Sequence, residues 1–442
     1  MSYKIKVFIE THGCQMNVSD SEKAATKLAS NGFEISHSED EADVILINTC
    51  SIREKASHKV LTRVGEIKQS NPGQFIGVMG CVAQLDGATM FENKKDISII
   101  SGTTALERLP DNLSYFLQSK QRVLDIGENN GEDWEADFAY RHSPFVGYVP
   151  IIEGCNKFCS YCIVPFSRGR ERSRSARSVI NEIKDLKSSG VKEVCLIGQN
   201  VNSYRPTDDD GLKNILGATP FSKLLRTVVT TDIERIKFTT SFPRDFNEDI
   251  VCAIEENESL CNWVHLPVQS GSDSVLQRMR RGYNVSFYKN IVERIRQAKR
   301  KISLTTDIIV GFPGESDKDF AETIDLVKFS EFESAYIFKY SDRQGTPSSV
   351  LENRVNDSRM TERFLELEAV QKRIQQRKLS ECVGNSYSVL VEKRSAKKED
   401  EFTGHTTCHK VVNFKSDSEM LGKIVNINIT EAKSNCLVGD LI

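Results

Sequence analysis

The chain has 442 residues, 39% of them hydrophobic and 27% charged, with a formal net charge of −3. Such ordinary globular composition at this length indicates two to four domains, and the near-neutral charge selects no class of partner. No run of about 18 apolar residues occurs, which excludes a membrane-spanning helix. The amino terminus passes straight from Ser2 into a strand pattern, without the apolar core or small-residue cleavage site of a signal peptide, so a cytoplasmic location is expected. Twelve cysteines are many for that compartment, where disulfides are disfavoured and grouped thiols bind metal or do chemistry.

Residues 7–10, 44–48 and 75–79 read as short strands separated by helix-length Ser/Glu/Lys/Ala-rich segments. This βαβ rhythm predicts a small open parallel sheet with helices on both faces. Each strand runs out into a cysteine: Cys14, Cys50 and Cys81. Residues 125–142 are acidic and poor in aliphatics, and read as a surface linker. A second series of strands is predicted at 146–152, 193–197, 235–239, 263–268, 303–310 and 334–339. Helical patterns between them include 178–188, 287–301 and 317–329. Six parallel strands in one series indicate a complete or partial β/α barrel, though periodicity alone also admits a doubly wound open sheet. A charged helix follows at 358–379, with Gly384 as a stop signal. Short strands at 387–391, 411–414, 423–429 and 435–441 then predict a small all-β barrel.

Cys155-Asn-Lys-Phe-Cys159-Ser-Tyr-Cys162 lies just past the first strand of the second series. Three thiolates spaced CxxxCxxC can hold three irons of a [4Fe–4S] cluster and leave the fourth open. An open iron binds the amino and carboxyl groups of S-adenosylmethionine and can pass an electron to its sulfonium. A structural zinc site needs a fourth ligand, which the nearby sequence does not supply. The loop resembles that of the radical S-adenosylmethionine superfamily, with Tyr161 as the aromatic before the last cysteine. By that resemblance Gly198, Gln199 and Asn200 occupy the turn that meets the cofactor's methionine end, departing from the more widespread Gly-Gly-Glu. Gly311 and Gly314 lie where backbone would approach the adenosyl group.

Cys14, Cys50 and Cys81 stand at equivalent carboxyl ends of predicted parallel strands, where ligands of open α/β sheets gather. One such cysteine would read as a core residue; three at equivalent places point to a second cluster, with Gly13 and Gly80 giving the backbone room. Dispersed cysteines, then CxxxCxxC, then a terminal β-module resemble the methylthiotransferase family along essentially the whole chain. The segments Thr11-His12-Gly13-Cys14-Gln15-Met16-Asn17, 162–174 and His265-Leu-Pro-Val-Gln269-Ser-Gly-Ser are similar to its MiaB-type tRNA branch. That resemblance implies a methylthiotransferase domain (1–121), a linker (122–142), a partial (β/α)6 radical core (143–374) and a TRAM module (375–442). It also implies transfer of a methylthio group to C2 of N6-isopentenyladenosine beside the anticodon, at position 37 of tRNA. Two molecules of S-adenosylmethionine are used, one as methyl donor and one as radical source. A flavodoxin or ferredoxin supplies electrons, and a monomer is expected. Asp342, Gln344 and His405 depart from the family pattern.

Arg168, Arg170, Arg172, Arg174 and Arg177 crowd ten residues with only Glu171 opposing, and are expected to meet RNA phosphates. From Lys378 onward nine basic residues balance nine acidic ones, so Lys393, Arg394, Lys397 and Lys398 form the one basic patch there. Two rivals keep the chemistry and change the substrate, to threonylcarbamoyladenosine in tRNA or a ribosomal-protein aspartate. A third is a non-catalytic iron–sulfur protein for RNA binding or electron transfer, disfavoured because electron carriers coordinate every iron.

Overall fold

The structure is a computed structural model describing residues 4–51, 56–127, 139–208, 210–395, 398 and 400–442. Six parallel strands form the amino-terminal sheet: β1 (Lys6–His12), β2 (Glu34–Ile35), β3 (Val44–Thr49), β4 (Phe75–Gly80), β5 (Ile97–Ser101) and β6 (Val123–Asp125). Their spatial order is β2-β1-β3-β4-β5-β6. Helices α1 (Gln15–Ser30) and α4 (Leu109–Ser119) cover one face, and α2 (Ala56–Ser70) and α3 (Cys81–Asn93) the other. Covered twice, β3 and β5 are buried along their whole length rather than at alternate residues. The expected boundary at residue 121 is too early, because β6 lies inside the expected linker and pairs with β5 through Ile99–Val123 and Ser101–Asp125. Three residues are too short a strand to show a period. Residues 128–138 of that linker fall outside the described residues.

The central domain contains β7 (Val146–Pro150), a two-stranded ribbon of β8 (Ile152–Glu153) and β9 (Arg172–Ser173), then β10 (Glu193–Ile197), β11 (Arg235–Phe238), β12 (Trp263–His265), β13 (Ser303–Val310) and β14 (Ser334–Lys339). Strands β7-β10-β11 and β12-β13-β14 pair in parallel. Ile236 N donates to Ser259 O and Cys261 N to Ile236 O, both at 2.7 Å, joining the two halves. All six strands therefore follow chain order in one curved wall, an open (β/α)6 barrel. A doubly wound sheet would reverse its order midway. Val194, Leu196, Ile236, Val264 and Ile308 point outward into the helical layer. Alternation then turns Tyr148, Cys195, Lys237, His265, Asp307 and Tyr336 to the inner face.

The Asp357–Ser380 helix crosses the expected boundary at 375, with Leu367 and Val370 in the central core and Leu379 in the terminal one. Beyond it β15 (Ser386–Arg394), β16 (Glu401–Thr406), β17 (Val411–Lys415), β18 (Ile424–Ala432) and β19 (Leu437–Leu441) close a barrel in the order β15-β16-β17-β19-β18. Strand β16, which the sequence did not signal, carries Gly404 and His405 amid few apolar residues.

This small barrel sits on the amino-terminal ends of the central strands. Arg235 donates to His405 O at 2.8 Å and Ser388 Oγ at 2.9 Å, and the His409 ring lies 4.5 Å from that of Trp263. Gly422, at φ +74°, would drive a Cβ to 2.3 Å from Phe145, so only glycine fits there. Glu333 is half-buried and pairs with Lys410 at 2.5 Å and Lys378 at 3.5 Å. Glu333→Ala is expected to cost about 1.5–3 kcal/mol, because it leaves two half-buried cations without their partner. Urea denaturation checks this, and a free energy unchanged from the parent would show that other contacts hold the module.

Candidate functional site

Cys14, Cys50 and Cys81 follow β1, β3 and β4, three adjacent strands of the amino-terminal sheet. Cys14 caps α1, and its N–H and Sγ donate to Asn17 Oδ1 at 3.3 and 3.4 Å. Asn17 Nδ2 donates to Asn48 Oδ1 at 3.0 Å, and Asn48 Nδ2 returns a bond to Asn17 O at 2.8 Å. This buried amide pair fixes the start of α1 against the end of β3, and so Cys14 relative to Cys50. Gly80, at φ +90°, leaves room for it: a Cβ there would lie 2.2 Å from Asn48 Oδ1. Hydrogen bonding with Cys50, aided by Arg168, lowers the Cys14 thiol to about 6 against the opposition of burial. Burial pushes the Cys81 thiol up, with Arg168 opposing.

The central triad occupies the turn between β8 and the short Val164–Arg168 helix. Cys155 N donates to Gly169 O at 3.2 Å, closing the loop at its base. Gly154 is required there, since a Cβ would lie 2.1 Å from Arg170 O. Each of two sulfurs has its own donor: Asn200 Nδ2 reaches Cys155 Sγ at 3.0 Å, and Arg281 Nη1 reaches Cys159 Sγ at 3.4 Å. Burial pushes the Cys162 thiol up to about 12, and the neighbouring Cys159 adds to the effect. Buried thiols of this kind ionise when a metal centre takes the charge.

Both triads adjoin the inner face of the barrel. Cys14 and Met16 pack against Tyr148, Cys195 and Ile197 on β7 and β10. Tyr161, between the central cysteines, packs with Phe312, Ile309 and Tyr340 at the upper ends of β13 and β14. Among the described residues no three His, Cys, Asp or Glu side chains gather round one ion-sized point. Beside the triads, Thr49 Oγ1, Ser51 Oγ and Gln199 Oε1 are buried without partners among the described residues. Thiols in threes with spare polar atoms around them suit a polynuclear cluster and a polar ligand better than one ion.

Residues 149–327 match the Radical SAM superfamily, 6–102 the Uncharacterized protein family UPF0004 and 380–442 the TRAM domain. A tRNA-2-methylthio-N(6)-dimethylallyladenosine synthase of Carboxydothermus hydrogenoformans is 41% identical over 98% of this chain and 99% of its own. One from Bacillus subtilis is 41% identical over 99% of this chain and 86% of its own. The chain belongs to the tRNA-2-methylthio-N(6)-dimethylallyladenosine synthase family. In fold it is similar to TsrM, a radical S-adenosylmethionine methyltransferase from Kitasatospora setae solved with cobalamin and a [4Fe-4S] cluster. That likeness has a TM-score of 0.56 at 14% identity, over 79% of this chain and 77% of the other.

For a member of this tRNA synthase family, the arginine run divides in an unexpected way. Arg168 is 3% exposed and held by Asp20 and by Glu153 at 3.3 Å; Arg174 is 2% exposed and held by Glu182. Neither reaches a phosphate, which corrects the expectation for both, because buried carboxylates consume their charge: Asp20, 148 residues from Arg168, and Glu182, on the helix that follows Arg174. Arg172 pairs with Glu153 and Arg177 with Asp210, while Arg170 is exposed. In the terminal barrel Lys393 is exposed, and Arg394 pairs with Glu419 and lies over Phe402. Lys398 pairs with Glu401, and Lys397 lies outside the described residues.

Gly198 packs tightly, since a Cβ would lie 2.3 Å from Ile152. Gly311 meets Met360 where a Cβ would lie at 2.2 Å, and its N–H bonds Glu315, which also holds Arg363. Gly314 N donates to Asn353 O. Helix packing thus requires glycine at 311. Of the family departures, Asp342 pairs with Arg354, His405 with Glu392, and Gln344 is exposed. Arg281 had no signal in the sequence beyond an Arg280-Arg281-Gly282 turn, yet it is buried against Cys159, Tyr161 and Phe242.

Arg168→Met is expected to destabilise by about 3–5 kcal/mol, since it strands Asp20 as an unpaired buried carboxylate and leaves Glu153 with Arg172 alone. Arg170→Ala, on the surface, is expected to stay within about 0.5 kcal/mol of the parent. Thermal melts of the two variants separate these roles; equal melting temperatures would mean that Arg168 is not a structural group.

Proposed function

We propose that the protein adds a methylthio group to C2 of N6-isopentenyladenosine at position 37 of tRNA, as the names of its relatives describe for them. The observation that carries this reading is that two separate cysteine triads adjoin one inner barrel face. One triad is enough to cleave S-adenosylmethionine; a second beside it suits a reaction that also delivers sulfur. Cys155, Cys159 and Cys162 hold one [4Fe–4S] cluster, and Cys14, Cys50 and Cys81 the other. With S-adenosylmethionine bound, these groups supply radical activation of an inert C–H bond and a sulfur that accepts a methyl group.

The chain's own residues hold and shield these groups. Asn200 and Arg281 donate to cluster-bound thiolates, which fixes their orientation and offsets their charge. Gln199 presents an unpartnered carbonyl to the ammonium of the methionine moiety, beside Gly198. Tyr161, Gly311 and Gly314 border the adenosyl end. Arg168 keeps positive charge buried next to Cys14 and Cys81. Arg170, Lys393 and Arg394 contact the anticodon stem-loop, and a flavodoxin- or ferredoxin-type protein delivers electrons. No helix among the described residues is long and apolar enough to cross a membrane; the enzyme works as a cytoplasmic monomer.

Two triple variants test the division of labour. Replacing Cys155, Cys159 and Cys162 with alanine should lower iron from about eight to about four per chain and abolish 5′-deoxyadenosine formation. Replacing Cys14, Cys50 and Cys81 should preserve dithionite-driven cleavage but yield no methylthioadenosine by mass spectrometry of tRNA nucleosides. Full product from the second variant would sink the two-cluster reading. For RNA contact, Arg170→Ala should flatten the plot of log affinity against log salt by about one unit of slope; an unaltered slope would remove Arg170 from the interface.

A further inference from the structure

One stretch of the inner barrel face has exposed aromatic surface that none of the described residues covers. On β14, Ala335 and Ile337 pack into the helical core, and Lys339 bonds Thr361 of the Asp357–Ser380 helix. The alternate residues Tyr336 and Phe338 therefore turn inward, where they are 57% and 41% exposed. Their register partners on β13 are Asp307 and Ile309. The Tyr336 ring stands edge-on to His265 of β12 at 6.1 Å, and His265 Nε2 lies 3.4 Å from Asp307 Oδ1. Below them Trp263 stacks on His265, and its Nε1 is buried without a partner. Above them Tyr340 packs on Phe312, which packs on Tyr161 of the central cysteine loop. The wall thus runs from the barrel floor to the roof that holds the triad.

Edge strands usually carry charge or are capped, and two large aromatics left bare on the last strand call for an occupant. We infer that Tyr336, Phe338 and Ile309, with Asp307 between them, form the subsite for an N6-prenylated adenine base. This inference rests on the proposed function and names the residues that read its substrate. The aromatic rings and Ile309 take the apolar substituent and the face of the unstacked base. Asp307, 27% exposed, accepts from the single N–H that remains on the alkylated exocyclic nitrogen. The wall lies across the barrel series from Cys14 and below Tyr161, so a base resting on it has a cysteine triad on either side.

The test uses two synthetic anticodon stem-loops that differ only in the N6-isopentenyl group, with affinities for reconstituted enzyme read by fluorescence anisotropy. The parent is expected to prefer the prenylated RNA by roughly tenfold or more, the scale on which an apolar pocket senses an added hydrocarbon group. Phe338→Asn and Tyr336→Ala should cut that ratio to about twofold or less, while Phe338→Leu, which keeps an apolar side chain, should retain most of it. Both positions are exposed, so the substitutions should leave the thermal melt near that of the parent. Unchanged ratios in Phe338→Asn and Tyr336→Ala would overturn the subsite. A parent that methylthiolates the prenylated loop yet binds both RNAs equally would overturn it too, and leave the activity standing. A parent that forms no methylthio product from either RNA would instead remove the function on which the subsite rests.

Discussion

The placement of the first cysteine triad against the barrel depends on a buried guanidinium. Arg168 leaves the central domain beside its own cysteine loop and meets Asp20, on the first helix of the other domain, together with Glu153. A parallel chain of charges runs Glu22–Arg141–Glu182–Arg174, with Arg141 at 3.2 Å from Glu22 and 3.0 Å from Glu182. Taking so many charges out of water is costly, and the cost is offset only when every partner is in place. Sliding one domain over the other would strand several charges at once. The contact therefore contributes register more than affinity, and register is what holds Cys14 against Tyr148 and Cys195.

Long-range charge pairing is also what the sequence concealed. The arginine run looks like a phosphate-binding strip because only Glu171 opposes it locally. Of the two carboxylates that neutralise Arg168, Asp20 lies 148 residues away, beyond any window of local composition. Arg281 escaped notice for the same reason, since its partners Cys159 and Tyr161 come from the other side of the chain. By contrast, the CxxxCxxC loop was legible because its cysteines are contiguous. The dispersed triad was legible because three parallel strands all end in cysteine, and parallel topology brings such ends together.

The layered fold was readable wherever apolar runs were long. The barrel series appeared as six such runs, and their order in space is their order in sequence. The failures were β2, two residues long, β5, where Ser98 and Ser101 interrupt the apolar residues, β6, three residues paired only through the sheet edge, and β16, whose six residues include Gly404 and His405. Gly311 shows a different limit. A glycine motif at a strand end suggests approach by a cofactor, and sequence alone does not reveal a second demand on it: the side chain of Met360, supplied by a helix from the far end of the domain.

Chain order gives this arrangement a direction in time. Domains generally fold as they leave the ribosome, amino-terminal first. The first helix then emerges with Asp20 and Glu22 hydrated and unpartnered, since Arg141 and Arg168 belong to sequence not yet made. Until those cations arrive, like charges along α1 oppose burial of its cysteine-bearing end. The triad of the nascent sheet stays accessible to solvent for that interval and is enclosed only when the barrel's first strand and loop have formed.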